Sequence, residues 1–294
     1  MGILKRLGGR RRLLANPVSR AIARRIVRMH LAGIEHVAES FRGVFGFSGY
    51  GVEADYELGP GDTIGEIIYW RGLREFEPQT VPQFIELARK SRYILDIGAN
   101  SGLYSVLACA ANPSARVIAW EPIRALADKV RRNISINNFG SRCEVRQCAV
   151  SGAEGEADFY ISDDSTMSSL SSSNASLHGH NTTSVKVSLE CLDRALPGDF
   201  PVDLIKIDVE GYEFEALAGG RAILDRWRPK IIFECLPNSN SDQIEALLRG
   251  IGYTIYSVTP AGLTKLDRLP HPEQVPAGEY NYLATFPETA VAQG

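Results

Sequence analysis

From residue 92 onward the chain alternates short apolar runs with amphipathic stretches, and few folds accommodate that rhythm. Strands are expected over Arg92 to Gly98, Arg116 to Glu121, Cys143 to Cys148, Val202 to Val209 and Lys230 to Cys235. Helices are expected over Gly102 to Ala111, Arg124 to Asn138, Phe214 to Trp227 and Asp242 to Ile251. Repeated strand-helix-strand units lay consecutive strands parallel, joined by right-handed crossovers that cover both faces of the sheet. The last two apolar runs, Tyr253 to Val258 and Asn281 to Phe286, have no helical pattern between them and read as an antiparallel pair at the sheet edge. The expected fold is α/β: a doubly wound, Rossmann-like, mostly parallel seven-stranded sheet with an antiparallel edge strand, occupying residues 92–294.

Two segments precede this domain. Residues 1–40 read as a basic, helical N-terminal arm of one or two short helices, with Pro17 breaking the first from the second. In the second, Ile22, Ile26 and Met29 fall at helical spacing against arginines, which suits peripheral contact with an anionic membrane. Residues 41–91 read as a cap segment, with glycines and alternating aromatics (Phe45, Phe47, Tyr50, Tyr56) suggesting a hairpin and Pro82 to Lys90 a helix. Inside the domain, a serine-rich stretch from Ser162 to Ser184 is long enough to be a lid or substrate loop.

Charge is unevenly placed. Nine of the 32 basic residues precede the first acidic one, Glu35, which leaves 23 basic against 35 acidic residues in the remainder. An acidic body repels polyphosphate, so no nucleic-acid partner is expected. The five cysteines are scattered, odd in number and free of C-x-x-C pairing, which argues against a disulfide framework and a zinc site and for a reducing compartment. No apolar run reaches the length that spanning a bilayer needs. The expected location is cytoplasmic, with the arm placing the chain peripherally at the inner membrane surface.

The chemistry concentrates at strand ends. Tyr93-Ile-Leu-Asp96-Ile-Gly98-Ala-Asn100-Ser-Gly102 is a buried strand entering a glycine turn and then a helix, where open α/β sheets bind nucleotide-like ligands. Gly98 and Gly102 allow close backbone approach. A dinucleotide fingerprint would carry glycine where Asn100 stands. NAD brings a pyrophosphate to such a turn, whereas S-adenosylmethionine brings a cationic amino-acid end that Asp96 can help hold. Glu121, ending the next strand, is placed to accept hydrogen bonds from ribose hydroxyls. Ala149, in Gln147 to Val150, lies where the adenine edge is expected. Leu204-Ile-Lys206-Ile-Asp208-Val-Glu210-Gly211-Tyr-Glu213 puts charges on an apolar strand, so Lys206 and Asp208 should converge on a site or on each other.

These residues together resemble the FkbM family of methyltransferases, over roughly Phe76 to Leu236. Asn133-Ile-Ser-Ile-Asn137, Ala149-Val150, Ser168-Ser-Leu170 and Val185 to Asp193 add to the likeness in order and spacing. The resemblance implies the class I methyltransferase fold, S-adenosyl-L-methionine as cofactor, and O-methylation of a sugar, glycolipid or polyketide-type hydroxyl.

Methyl transfer to such a hydroxyl needs alignment of oxygen, carbon and sulfur and a group to take the proton. Asp208 is the first candidate, Glu210 the second, and the serine-loop histidines His178 and His180 the third. No ligand spacing argues for a metal. An NAD-dependent oxidoreductase would share the sheet but lacks its glycine fingerprint here, and a non-catalytic cofactor-binding interaction module is the remaining alternative.

Overall fold

The structure, a computed structural model, describes residues 42–162, 182–197, 199–236, 239–270, 275–276 and 280–287. The basic arm, most of the serine-rich stretch, and both His178 and His180 lie outside the described residues.

The expected hairpin is present. Strands β1 (Gly43–Gly49) and β2 (Val52–Leu58) pair antiparallel through Tyr50 and Gly51, whose φ values of 53° and 75° suit a tight two-residue turn. Helix α1 (Thr63–Arg71) follows, begun by Asp62, whose carboxylate accepts the N–H of Gly65 at 2.9 Å. Sequence reading did not foresee α1, because Gly65, Ile68, Tyr69 and Trp70 are buried without forming a clean apolar stripe. Helix α2 (Thr80–Ala88) corresponds to the helix expected from Pro82.

The core then runs β3 (Tyr93–Ile97), α3 (Leu103–Ala111), β4 (Arg116–Trp120), α4 (Arg124–Ile136), β5 (Cys143–Arg146), β6 (Ala149–Val150), β7 (Gly155–Ser162), β8 (Thr182–Glu190) and α5 (Leu192–Ala195). It continues through β9 (Leu204–Ile207), α6 (Glu213–Gly219), α7 (Arg221–Trp227), β10 (Lys230–Glu234), α8 (Ser241–Ile251), β11 (Thr254–Thr259), β12 (Gly262–Leu266) and β13 (Asn281–Thr285). The single helix expected over Phe214 to Trp227 is two, parted at Gly220.

The large sheet has the order β12-β11-β13-β10-β9-β3-β4-β5, in which β10, β9, β3, β4 and β5 run parallel and β13 is antiparallel to both of its neighbours. All seven expected strands are in it, and the strand order reverses at β3, between β4 and β9. An eighth strand, β12, extends the edge by pairing with β11. It escaped prediction because Gly262 to Lys265 are exposed and bury no apolar face. Separately, β8 pairs parallel with β6 and antiparallel with β7 in a three-stranded sheet.

Alternation along each strand divides the core into two layers. Ile205 and Ile207 of β9, with Leu95, Ile97, Ile231 and Phe233, pack on the side that includes Leu217, Leu224 and Leu248 of α6, α7 and α8. Leu204, Ile94 and Ile232 face the other side, where Val106, Leu107 and Val130 join Phe45, Tyr56, Trp70 and Phe84. The cap segment therefore shares one hydrophobic core with the sheet. Lys206, Asp96 and Glu234 fall on that same face by the period of two.

Candidate active site

The carboxyl ends of β3, β4, β9 and β10 open into one cleft, at the place where the strand order reverses. Gly98, Asn100, Glu121, Ala149, Asp208 and Glu210, separate in sequence, all line it. Asp96 and Gly102 are not among the lining residues.

Glu121 is the best-defined group at the β3 and β4 end of the cleft. Its Oε2 accepts the N–H of Asn100 and its Oε1 the N–H of Ile123, both at 2.8 Å. Asn100 offers its N–H this way because it sits at φ 52°, a left-handed conformation that asparagine tolerates. Glu121 is only 5% exposed. Burial pushes its carboxyl up to about 8, against the two N–H donors. Beyond it, Cys148, Ala149 and Val150 form the wall that sequence position suggested for the adenine edge.

The two glycines of the turn serve the protein's own packing. Gly98 has φ 80°, and a Cβ there would overlap the backbone of Asp208. Gly102 starts α3 at φ 83°, and its Cβ would stand 2.9 Å from Val130 Cγ1 and 3.1 Å from Val130 Cα, so its bareness lets α3 lie close to α4. Asp96 is buried and accepts a 2.6 Å hydrogen bond from Ser105 Oγ. Burial pushes it up to about 6, opposed by Ser105 and Lys206.

A side-chain clamp holds the turn from behind. Asn133, fully buried on α4, donates to the Ser101 carbonyl at 2.8 Å and accepts the N–H of Glu57 at 2.8 Å. One turn on, Asn137 accepts the N–H of Asp55 at 2.8 Å and donates to the Asp55 carbonyl at 2.7 Å. The Asn-x-x-x-Asn spacing of the family likeness thus stitches β2 to α4 and to the glycine turn.

At the β9 and β10 end of the cleft the expectation for Lys206 and Asp208 holds: Lys206 Nζ lies 3.0 Å from Asp208 Oδ2. Lys206 is 1% exposed. Burial opposes its charge, but Asp208, Glu77 and Glu234 outweigh burial and hold the ammonium above its ordinary pKa. Asp208, Glu210 and Glu234 each bring an oxygen within 4.8 Å of the others. No spacing along the chain announces this group, because Glu234 arrives on a different strand; its geometry is one a cation could occupy. Burial, followed by Asp208 and Glu210, raises Glu234 well above the carboxylate range. Glu213 is set behind the cleft, accepting from Gly211 N at 2.9 Å and Ser239 Oγ at 2.8 Å.

Three ionisable cleft residues escaped sequence reasoning: Glu77, Tyr104 and Glu234. Glu234 ends the apolar run Ile231-Ile232-Phe233, the same signal that singled out Asp208, and was findable. Tyr104 is masked by the helix pattern it belongs to. Glu77 lies between a 3₁₀ turn (Leu73–Glu75) and α2, where no periodicity marks it.

Five carboxylates therefore line the cleft (Glu77, Glu121, Asp208, Glu210 and Glu234), and among the described lining residues there is no lysine or arginine. A pyrophosphate would find no cationic side chain among the described lining residues to pair with. A cationic ligand that also carries hydroxyl donors matches this set of acceptors.

The fold and cleft define a class I methyltransferase, with S-adenosylmethionine as its cofactor. The chain belongs to the FkbM methyltransferase family, whose domain model matches residues 96–255. A curated relative, the methyltransferase sdnD of Sordaria araneosa, is 28% identical over 193 residues, 55% of this chain and 74% of that protein. Among solved structures, a methyltransferase FkbM from Methylobacillus flagellatus KT aligns at TM-score 0.44 and 20% identity over 67% of this chain and 44% of that one. The present chain thus spans less than half of that relative's length. An O-methyltransferase from Bacillus cereus in complex with SAH aligns at TM-score 0.40 and 16% identity, over 73% and 84% of the two chains.

Proposed function

We propose that this protein transfers the methyl group of S-adenosylmethionine to a hydroxyl of a sugar, glycolipid or polyketide-type acceptor. The observation that carries the reading is the cleft lined by five carboxylates and, among the described residues, by no cationic side chain. Such a lining favours a cationic methyl donor and a neutral, hydrogen-bonding acceptor over a nucleic acid. It also disfavours NAD.

In this reading Glu121 takes the ribose hydroxyls, the backbone around Gly98 and Asn100 passes along the amino-acid portion, and Ala149 flanks the adenine. Asp96 and Gly102 act one layer behind, through Ser105 and Val130. The cofactor supplies an activated methyl group. Asp208 and Glu210 face the acceptor, with Asp208 held in place by Lys206. Ile64, Phe76 and Phe159 add apolar surface against which a ring or chain can lie.

The test is product formation. Purified protein with S-adenosylmethionine is offered alkyl glycosides and hydroxylated polyketide lactones, and products are read by mass. Methyl ethers support the proposal; methylation on nitrogen or carbon alone removes the O-methyl part. Calorimetry with S-adenosylhomocysteine and NAD tests the cofactor separately.

The same proposal gives the basic arm, residues 1–40, a role in holding the enzyme peripherally at an anionic cytoplasmic membrane face, supported by nine cations ahead of Glu35. Deleting residues 1–34 should reduce binding to phosphatidylglycerol vesicles at low salt and leave cofactor affinity unchanged. Equal vesicle binding by both forms would remove that role.

A further inference from the structure

We propose that Glu77, brought into the cleft by the cap segment, is the group that takes the acceptor's proton. The assignment rests on the O-methylation reading and deepens it.

Four carboxylates compete for the task on the acceptor side. Asp208 is committed to Lys206 at 3.0 Å, and because that lysine is 1% exposed its ammonium has no water to turn to instead. Its carboxylate is thus already engaged by a buried ammonium. Glu234 stands within 4.8 Å of both Asp208 and Glu210. Like charges so close in a half-buried cleft cannot all be ionised, and Glu234 is the one that burial and these two neighbours drive toward the protonated form. Glu210 sits at φ 53° immediately before Gly211, on the turn that leaves β9.

Glu77 is placed differently. Its Oε2 accepts the Tyr104 hydroxyl at 2.6 Å. That hydroxyl donates, so it aims the group and favours its ionised form. Tyr104 cannot reverse the bond by ionising, since burial and Glu77 hold its hydroxyl well above the ordinary value. The Tyr104 ring in turn packs against Lys206, whose Nζ lies 5.1 Å from the ring centroid. Burial makes Glu77 more basic than a free glutamate, as does Asp208, with Lys206 opposing. The backbone pays for this placement: Glu77 has φ 36°, a left-handed conformation that a glutamate adopts only when the surroundings impose it.

In the step it serves, the acceptor oxygen bonds to the methyl carbon. The carbon–sulfur bond breaks with its electron pair left on sulfur, and the hydroxyl proton passes to a Glu77 oxygen and then to water.

The test needs no acceptor. Sinefungin carries a protonated amine where the cofactor carries its methylsulfonium, whereas S-adenosylhomocysteine carries nothing there. Calorimetry of the full chain should show Glu77→Gln weakening sinefungin by about ten- to a hundredfold, as loss of a charged hydrogen bond implies, with S-adenosylhomocysteine affinity unchanged. Glu77→Asn, which suits the left-handed backbone better, guards against misfolding and should give the same contrast. Glu234→Gln should leave the contrast intact. If both Glu77 variants bind sinefungin as tightly as wild type, or if Glu234→Gln weakens it instead, the assignment is overturned while the cofactor reading stands. Wild-type protein that binds neither ligand overturns both.

Discussion

A Cβ on Gly98 would stand 1.8 Å from the carbonyl oxygen of Asp208, so the turn after β3 touches the backbone leaving β9. With φ at 80° as well, the site has no room for any L side chain. Gly98→Ala should cost about 2–4 kcal/mol from the combined backbone and overpacking penalties. Thermal melting followed by circular dichroism should show the loss, with cofactor affinity falling alongside it. A variant that melts like wild type and fails only to bind would return Gly98 to a purely ligand-facing role.

Glu121 predicts a pH dependence. Its folded pKa of about 8 lies above the ordinary 4.5, so the stability it lends the unliganded chain is full below pH 4.5 and lost as pH rises through about 8. Ribose hydroxyls need the ionised form, so binding runs the opposite way. Affinity for S-adenosylhomocysteine should rise roughly tenfold between pH 7 and pH 9 as the competent fraction grows. Glu121→Gln should flatten that profile and weaken binding by about 1.5–3 kcal/mol. A flat wild-type profile would separate Glu121 from the ribose.

Replacing Lys206 strands the carboxylates around it. Lys206→Met should destabilise the fold by about 3–5 kcal/mol in urea titrations, because a buried partner is removed rather than a pair. Asp208→Asn should cost less, since Glu77 continues to face the ammonium. Equal losses would mean that Asp208 alone compensates the charge.

The two asparagines of α4 should differ in weight. Asn133→Ala leaves the part-buried Glu57 N–H and the buried Ser101 carbonyl without their partner and should cost about 2–4 kcal/mol. Asn137→Ala, at a more exposed position, should cost about 1 kcal/mol. Limited proteolysis between β2 and α1 should accelerate in the first variant and hardly change in the second.

Much of the sheet was legible because its strands are buried on both faces and read as unbroken apolar runs, as Ile231-Ile232-Phe233 does. The glycine turn and Glu121 were legible because strand ends carry the chemistry in open α/β sheets. Elements that bury little, such as β12, or bury unevenly, such as α1, left no periodic trace. The glycine motif singled out Asp96 and Gly102 for the cofactor, but a motif cannot say which way a side chain turns, and in the structure they meet Ser105 and Val130. Glu77 was the least legible: its place depends on α3, Lys206 and a left-handed backbone, none of which its sequence neighbours encode.

The clamp between β2 and α4 bears on how the chain is made. Asp55 and Glu57 are bonded by side chains that lie 82 and 76 positions later. At about 5–20 residues per second, a ribosome delivers those asparagines roughly 4 to 16 seconds after the hairpin they lock. For that interval Phe45, Tyr56 and Tyr69, all buried in the finished protein, have chiefly one another for cover, with Phe45 centred 5.9 Å from Tyr56 and 5.0 Å from Tyr69. This hairpin is therefore secured late, and nascent chains halted before residue 133 should be the ones that recruit chaperones.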